Sequence, residues 1–161
     1  MAGEHTVIGF ADDRWPDLQP IWDLPVVCGL RDLAHEAKNW ADFAVPAMGD
    51  PAARAMAVDA ARRGGLVLAR VVHPQAMVSP SAHIGAGATV MAGAVVGTEV
   101  HVGDCAIVNA GAVLDHHAQV GDYAHVGLGA RMGGGARLAD AQTLPIGGVL
   151  GPGEVMQGTN S

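Results

Sequence analysis

Aromatic side chains are scarce in this sequence of 161 residues, which has three tryptophans, two phenylalanines and one tyrosine. Glycine is plentiful, with 23 residues, about twice its usual share. Half of the sequence is hydrophobic. A core with so few rings must therefore be built from small and branched aliphatic side chains, which excludes folds that depend on an aromatic core.

Positive charge and cysteine are also scarce. Nine lysines and arginines stand against sixteen acidic residues, a formal net charge of −7, which argues against a general binder of nucleic acid or anionic membranes. Cys28 and Cys105 lack metal-ligand spacing, and no secretory hydrophobic segment opens the chain. We therefore expect two free thiols in a cytoplasmic protein.

Residues 1–70 have the mixed pattern of a small α/β domain. Three short apolar runs, HTVIGF, WDLPVVCGL and ADFAVPAMGD, alternate with segments of helical spacing. The segment 50–65 is typical of a helix, because Asp50 can cap it, Pro51 suits its first turn, and Gly64 and Gly65 end it. LVLARVV, which follows, predicts one continuous strand.

From Val72 onward the pattern changes to an unbroken period of six residues. From Ala76 to Ala136 an alanine follows each aliphatic position four residues later, with Val100 as the one exception. Residues two apart point to the same side of a strand, so this small residue and the next aliphatic one both face inward. The aliphatic positions are Val72, Val78, Ile84, Val90, Val96, Val102, Val108, Leu114, Val120, Val126, Met132, Leu138, Leu144, Leu150 and Met156.

This period predicts a parallel β-helix over residues 71–161, with three short strands in each coil and about five coils stacked roughly 4.8 Å apart. The residue before each aliphatic position points outward, and every third repeat falls on the same face. One face carries Met77, Val95, Val113, Arg131 and Val149; the second carries His83, His101, Gln119 and Arg137; the third carries Thr89, Ile107, His125 and Thr143. The apolar column on the first face predicts association of subunits.

The stretch VLDHHAQVGDYAHVG contains three histidines within this repeat. His116 and His117 occupy two corner positions, so both side chains leave the prism, whereas His125 lies within a strand. A histidine is largely neutral near pH 7 and can accept a proton, which makes it a candidate general base. A metal site and solvated corner histidines are the alternatives.

The stretch HPQAMVSPSAHIGAGATVMAGAVVGTEVHVGDCAIVNAGAVLDHHAQVGDYAHVGLGA resembles the hexapeptide-repeat sugar O- and N-acetyltransferases, of the sialic acid O-acetyltransferase and UDP-amino-sugar N-acetyltransferase types. The segments VIGFADD, LPVVCGL, AMGDPAARAMAV and VVHPQA follow in that family's order, and the resemblance covers residues 6–150. It implies that the β-helix is left-handed and follows a small Rossmann-like domain that binds a nucleotide sugar. It also implies acetyl transfer from acetyl-CoA to an amino or hydroxyl group of a sugar, by a homotrimer.

The resemblance implies the catalytic residues as well. His116 matches the general base, in a groove between subunits. The family has an acidic residue directly after this histidine, a modulating position that His117 occupies here. Asp115, directly before His116, is the other acidic candidate.

Five further residues match binding positions of the family. His125 matches a histidine that contacts acetyl-CoA, and Ile146, in LPIGG, matches a backbone contact to the same cofactor. Asp12 and Asp13 match an acidic pair at the base of the nucleotide sugar, and Gly49 matches a loop glycine of that pocket. No metal ligand is implied.

The sequence departs from the family pattern at both ends, as a truncated member would. The α/β domain lacks the first strand and its Gly-rich loop, and the last repeats, LADAQT and MQGTNS, lose the pattern. The Rossmann-like domain is therefore expected to be incomplete. The alternative function is a non-catalytic oligomeric scaffold that has kept the fold of an acetyltransferase.

A zinc enzyme of the γ-carbonic anhydrase type is a rival on the same fold. That family places a second histidine two coils after the first, and a third one five residues further on. From His83 these positions are Gln119 and Ala124, and from His101 they are Arg137 and Gln142. Because a zinc site needs three or four converging ligands, the sequence argues against this rival.

Overall fold

The computed structural model describes residues 5–158, which form a parallel β-helix preceded by a small α/β part. Within this range no helix is both long and apolar enough to cross a membrane. The α/β part contains β1 (Phe10–Ala11), β2 (Val26–Cys28), α1 (Leu33–Glu36), a 3-10 turn (Ala37–Asn39), β3 (Phe43–Ala44), α2 (Pro51–Arg63) and β4 (Val67–Leu68). The β-helix contains β5 (Val71–Val72), β6 (Met77–Val78), β7 (His83–Ile84), β8 (Thr89–Val90), β9 (Val95–Val96), β10 (His101–Val102), β11 (Ile107–Val108), β12 (Val113–Leu114), β13 (Gln119–Val120), β14 (His125–Val126), β15 (Arg131–Met132), β16 (Arg137–Leu138), β17 (Thr143–Leu144), β18 (Val149–Leu150) and β19 (Val155–Met156).

The fifteen strands of the β-helix form three parallel sheets of five strands each, and every strand pairs with the strand one coil away. His101 pairs with Gln119, and Ile107 with His125, so one coil takes 18 residues. The predicted left-handed β-helix is confirmed. We name the sheet β6-β9-β12-β15-β18 the apolar face, the sheet β7-β10-β13-β16-β19 the histidine face, and the sheet β5-β8-β11-β14-β17 the His125 face.

The predicted inward positions form the core. The alanines and aliphatic residues of the middle coils, such as Ala112, Leu114 and Val126, are fully buried. Small and large side chains alternate along the chain within each coil, and aliphatic residues stack on one another between coils, as Leu114 does on Met132; this packing lets a narrow prism fill its interior without aromatic residues. This packing explains the scarcity of rings in the sequence.

The corners between strands use one residue per turn in the left-handed backbone conformation. Glycine occupies many of these positions, but Glu99, Cys105, His117, Tyr123 and Ala141 also have φ between 55° and 58°. A left-handed conformation costs an L-residue about 1–2 kcal/mol. Residues other than glycine at these corners therefore call for a reason beyond the turn itself.

The α/β part confirms the helix over 50–65. The Asp50 carboxylate accepts a hydrogen bond from the Ala53 N–H at 2.8 Å, and the helix ends at Gly64. β3, α2 and β4 form a βαβ unit with parallel strands, and β1 and β2 form a second parallel pair. The two pairs are separate two-stranded sheets of parallel strands.

The prediction of one strand over LVLARVV was wrong. The segment forms two strands, β4 and β5, interrupted at Ala69 and Arg70. β4 pairs with β3, whereas β5 pairs with β8 of the β-helix. The strand is broken because the chain changes hydrogen-bonding partner at this point.

Candidate functional site

His116 and His117 lie at the corner between the apolar face and the histidine face, and both are exposed. The two imidazoles meet edge to face, with Nδ1 of His116 3.1 Å from Nδ1 of His117. Asp115 lies beside them, but its carboxylate accepts the backbone N–H of His116 at 2.7 Å. Asp115 therefore fixes the turn that presents His116.

The acidic neighbour of this histidine pair is Glu99. Its carboxylate lies 2.9 Å from Nε2 of His117, and both side chains are about 60% exposed. Glu99 precedes His117 by one coil, at the same corner position. A chain of contacts therefore runs from Glu99 through His117 to His116.

Gly134 lies one coil after His116, directly against its ring. A Cβ atom built at Gly134 would stand 2.6 Å from both Cε1 and Nε2 of His116. Real atoms do not approach that closely, so the imidazole is seated on bare backbone. Within the described part of the chain, Nε2 of His116 has no hydrogen-bond partner.

His125 and Gly49, assigned separately by the sequence, are in contact. Nδ1 of His125 lies 3.2 Å from the carbonyl oxygen of Gly49, and Nε2 lies 3.1 Å from Nδ2 of Asn109. A carbonyl can only accept, so Nδ1 carries the proton and Nε2 accepts from Asn109. The amide orientation of Asn109 agrees, because its Oδ1 accepts the Ala110 N–H at 2.8 Å. Both ring nitrogens of His125 are thus occupied.

Arg54 of α2 attaches the Gly49 loop to the β-helix. Its side chain is fully buried and donates to the carbonyl oxygens of Met48 at 2.6 Å, Gly49 at 2.9 Å and Cys105 at 2.8 Å, and also to that of Tyr123. Burial lowers the pKa of this guanidinium, yet arginine stays charged in proteins. The guanidinium links two parts of the fold through backbone acceptors.

Ile146 lies at the corner between the His125 face and the apolar face. It is 76% exposed, and Leu128, one coil earlier at the same corner, is 44% exposed. The N–H of Gly147 donates to the Leu128 carbonyl at 2.9 Å, which stacks the two corners. This edge therefore offers apolar side chains to a ligand.

Asp12 and Asp13 follow the end of β1. Arg14 donates to Asp12 through its backbone N–H at 3.0 Å and its guanidinium at 2.9 and 3.0 Å, and these bonds lower the pKa of Asp12 to about 2. Asp13 accepts the Leu30 N–H at 3.1 Å. Asp12 is thus paired within the chain, while one oxygen of Asp13 is held by backbone.

The structure brings the predicted residues together in separate groups. His116, His117 and Asp115 share one corner, while Gly49 and His125 meet on a different face. In a three-sided prism, the corner of His116 is opposite the His125 face. The apolar face lies between the His116 corner and the Ile146 corner.

Four residues that contact the predicted site residues were not assigned to the site from the sequence: Glu99, Gly134, Asn109 and Arg54. The signal for the first two was present, because each lies one coil of 18 residues from a corner histidine. Arg54 shares a helical face with Ala57, Val58 and Ala61, a spacing that predicts burial.

The remaining candidates from the sequence are the two cysteines and the possible metal ligands. Cys28 and Cys105 are buried free thiols. His83 and His101 stack with ring centroids 4.6 Å apart on the histidine face. Among residues 5–158, no three His, Cys, Asp or Glu side chains are arranged to hold a metal ion.

Neither a protein-family model nor a curated protein sequence matches this chain. Solved structures do match it. PerB from Caulobacter crescentus, in complex with CoA and GDP-perosamine, is 26% identical, with a TM-score of 0.68 over 85% of this chain and 75% of that chain. WeeI from Acinetobacter baumannii AYE, at 18% identity and a TM-score of 0.52 over 88% of this chain and 81% of its own, shares the fold.

The acetyltransferase domain of PglB from Neisseria gonorrhoeae FA1090 is 30% identical, with a TM-score of 0.53 over 92% of this chain and 78% of that chain. The same domain has also been solved in complex with acetyl coenzyme A. These similarities agree with the fold and with the resemblance carried by the sequence motifs. The chain therefore belongs to the hexapeptide-repeat family of sugar acetyltransferases and is an acyltransferase.

Proposed function

We propose that this protein transfers the acetyl group of acetyl-CoA to an amino or hydroxyl group of a sugar, carried on a nucleotide, with His116 as the general base. The proposal rests on the surroundings of His116. Its exposed imidazole packs against Gly134, and its Nε2 has no hydrogen-bond partner among the described residues. Residues 71–161 would carry out the transfer, and residues 1–70 would bind the nucleotide sugar.

His116 would act at Nε2. It would take the proton from the acceptor amine or hydroxyl while the nitrogen or oxygen attacks the thioester carbonyl. The C–S bond then breaks, and the proton on Nε2 can pass to the departing CoA thiolate, which restores the neutral imidazole. Backbone N–H groups of the glycine-rich corners are the candidates for stabilising the oxyanion.

The corner of Leu128 and Ile146 is the proposed site for the donor. Its exposed apolar side chains fit the hydrocarbon part of CoA. His125 would contribute by holding the Gly49 loop in place. A hydrogen bond from His125 to acetyl-CoA would have to replace its contact to Gly49 or to Asn109.

The acceptor site would use Gly49 and the acidic pair Asp12 and Asp13. The side chain of Asp13 is the stronger candidate for a ligand contact, because the carboxylate of Asp12 is already paired with Arg14. GDP-perosamine, bound by PerB, sets the chemical class of the acceptor to be tried first. UDP-linked amino sugars form the second class.

The active assembly would be a homotrimer with the site between copies. The apolar face supports association, since Met77 and Val149 are 66% and 63% exposed on it. A copy packed over this face would lie against both flanking corners, that of His116 and that of Ile146. Light scattering should give three times the 16.3 kDa chain mass; a monomeric mass would contradict the trimer.

Calorimetric titration with acetyl-CoA, and with CoA for comparison, tests whether the donor groove exists. We expect saturable binding with one site per chain. Leu128→Asp should weaken binding, whereas Met91→Asp, an exposed residue at the same corner two coils earlier, should not. No binding at millimolar acetyl-CoA would refute the proposal and favour a non-catalytic scaffold.

A further inference from the structure

Glu99 and His117 are stacked at one corner of the β-helix, one coil apart. Both have a left-handed backbone, with φ of 55° and 58°. At the next coil the same position is Gly135, which has φ of 68°. The chain thus places two ionisable side chains where glycine would suit the backbone better.

The stability gained from this pair is small. An ion pair with both side chains about 60% exposed is screened by water and loses side-chain entropy when it forms. Arg63 and Asp59 form a comparable pair on α2, also at 2.9 Å and with side chains 66% and 62% exposed. Stability therefore does not explain why a carboxylate and an imidazole occupy adjacent left-handed corners.

The contacts define where the ring protons lie. A carboxylate only accepts, so Nε2 of His117 must carry a proton that faces Glu99 at 2.9 Å. In a neutral His117, Nδ1 is then an acceptor. Nδ1 of His116, 3.1 Å away, must donate to it. The lone pair of His116 is consequently on Nε2, the atom seated beside Gly134.

We propose that Glu99 is a positioning residue for His116, and that it acts through the ring of His117 to keep the lone pair of His116 on Nε2. The inference rests on the proposed function, in which Nε2 takes the acceptor proton. As that proton arrives, Nδ1–H of His116 remains bonded to His117, whose Nε2–H faces the carboxylate. The charge on His116 is thereby stabilised without any further proton transfer.

This arrangement accounts for His117 where the family resemblance implies an acidic residue. The carboxylate is supplied one coil earlier, and His117 spans the distance between Glu99 and His116. Asp115 does not serve this purpose, because its contact is with backbone N–H. The orientation of the base thus depends on the stacking of two coils.

The test compares Glu99→Gly and His117→Gly with the double variant. Both positions have a left-handed φ, so glycine preserves the backbone at each. We expect each single variant to lower kcat about tenfold to hundredfold, by analogy with the loss typical when the outer partner of a metal-bound histidine is removed, with KM for acetyl-CoA unchanged. The double variant should be no slower than His117→Gly alone, because Glu99 acts only through that ring.

Asp59→Asn is the matched control, since it removes an exposed carboxylate from an ion pair of the same length and exposure; it should leave kcat unchanged. Unchanged kcat in Glu99→Gly, or losses that multiply in the double variant, would overturn the inference. Turnover that survives in His116→Ala would overturn the proposed function itself. The two failures are therefore distinguishable.

Nitrogen-15 NMR of the histidine rings gives a readout that a purely structural role would not move. In the wild-type protein, His116 should carry its proton on Nδ1, with Nε2 unprotonated. In Glu99→Gly the two tautomers should mix. A His116 protonated on Nε2 in the wild-type protein would contradict the proposal.

Discussion

The proposed site requires glycine at position 134, because the imidazole of His116 packs directly against the backbone there. In Gly134→Ala, the new Cβ would stand 2.6 Å from Cε1 and Nε2, whereas carbon atoms in contact lie about 3.5–4.0 Å apart. The ring must therefore move by roughly 1 Å. A displacement of about that size can cost on the order of a hundredfold in rate, which corresponds to about 2.7 kcal/mol of transition-state stabilisation. The loss of kcat would be measured from the rate at which CoA thiol is released at saturating acetyl-CoA and acceptor.

Stability should respond differently from rate in this variant. The φ of Gly134 lies outside the left-handed region, so alanine suits its backbone, and the exposed ring of His116 can swing away. We expect the free energy of unfolding to change by less than about 1 kcal/mol.

Gly135→Ala is the control for the neighbouring position. Its φ is 68°, and an added Cβ would meet nothing within 4 Å. We expect it to lose about 1–2 kcal/mol of stability while keeping its rate. If Gly134→Ala kept full kcat, the seat of His116 on this glycine would have no part in catalysis.

Three further predictions concern the rest of the fold. Arg54→Met should lower the free energy of unfolding in urea by at least about 1–3 kcal/mol, the cost of one unpaired buried acceptor, because the buried Cys105 carbonyl and the partly buried Met48 carbonyl lose this donor. Arg63→Met, on the exposed side of the same helix, should change it by less than about 0.5 kcal/mol, and equal effects would argue against the buried network. Arg14 holds the pKa of Asp12 at about 2, below its ordinary 3.8. The contribution of Asp12 to stability is therefore complete above that ordinary value and is lost as the pH falls through about 2; Arg14→Ala should raise the pKa of Asp12 in an NMR titration, and an unchanged titration would disprove the pairing. Burial raises the pKa of both thiols, so a thiol reagent should modify neither cysteine in the native protein and both in denaturant, whereas rapid native modification would contradict their burial.

The β-helix could be predicted from the sequence because its geometry repeats. Every coil imposes the same inward positions, so an aliphatic residue recurs every six residues from Val72 to Met156, and alanine recurs between them from Ala76 to Ala136 with Val100 as the one exception. The helix over 50–65 was equally clear, since its cap and its end are local features. The prediction of one strand over LVLARVV was wrong for the opposite reason. The break in this segment depends on the distant strands with which its two halves pair.

The candidate site could likewise be predicted only in part from the sequence. His116 and His117 could be placed at a corner from the period alone, and their exposure agrees. Glu99 and Gly134 act across coils, so they become visible only when the sequence is aligned in rows of one coil. The link from Arg54 to Cys105 joins two different parts of the fold, and no local pattern predicts that contact.

The central claim is that Nε2 of His116 accepts the proton of the sugar, and the turnover of His116→Ala tests it most directly. Thiol release would be measured with acetyl-CoA and a nucleotide-linked amino sugar, for the wild-type protein, His116→Ala and His83→Ala. His83 is an exposed histidine in strand β7 of the histidine face and serves as the control. We predict that His116→Ala loses turnover while it still binds acetyl-CoA and keeps its oligomeric state, and that His83→Ala remains active. Wild-type turnover in His116→Ala would contradict the account.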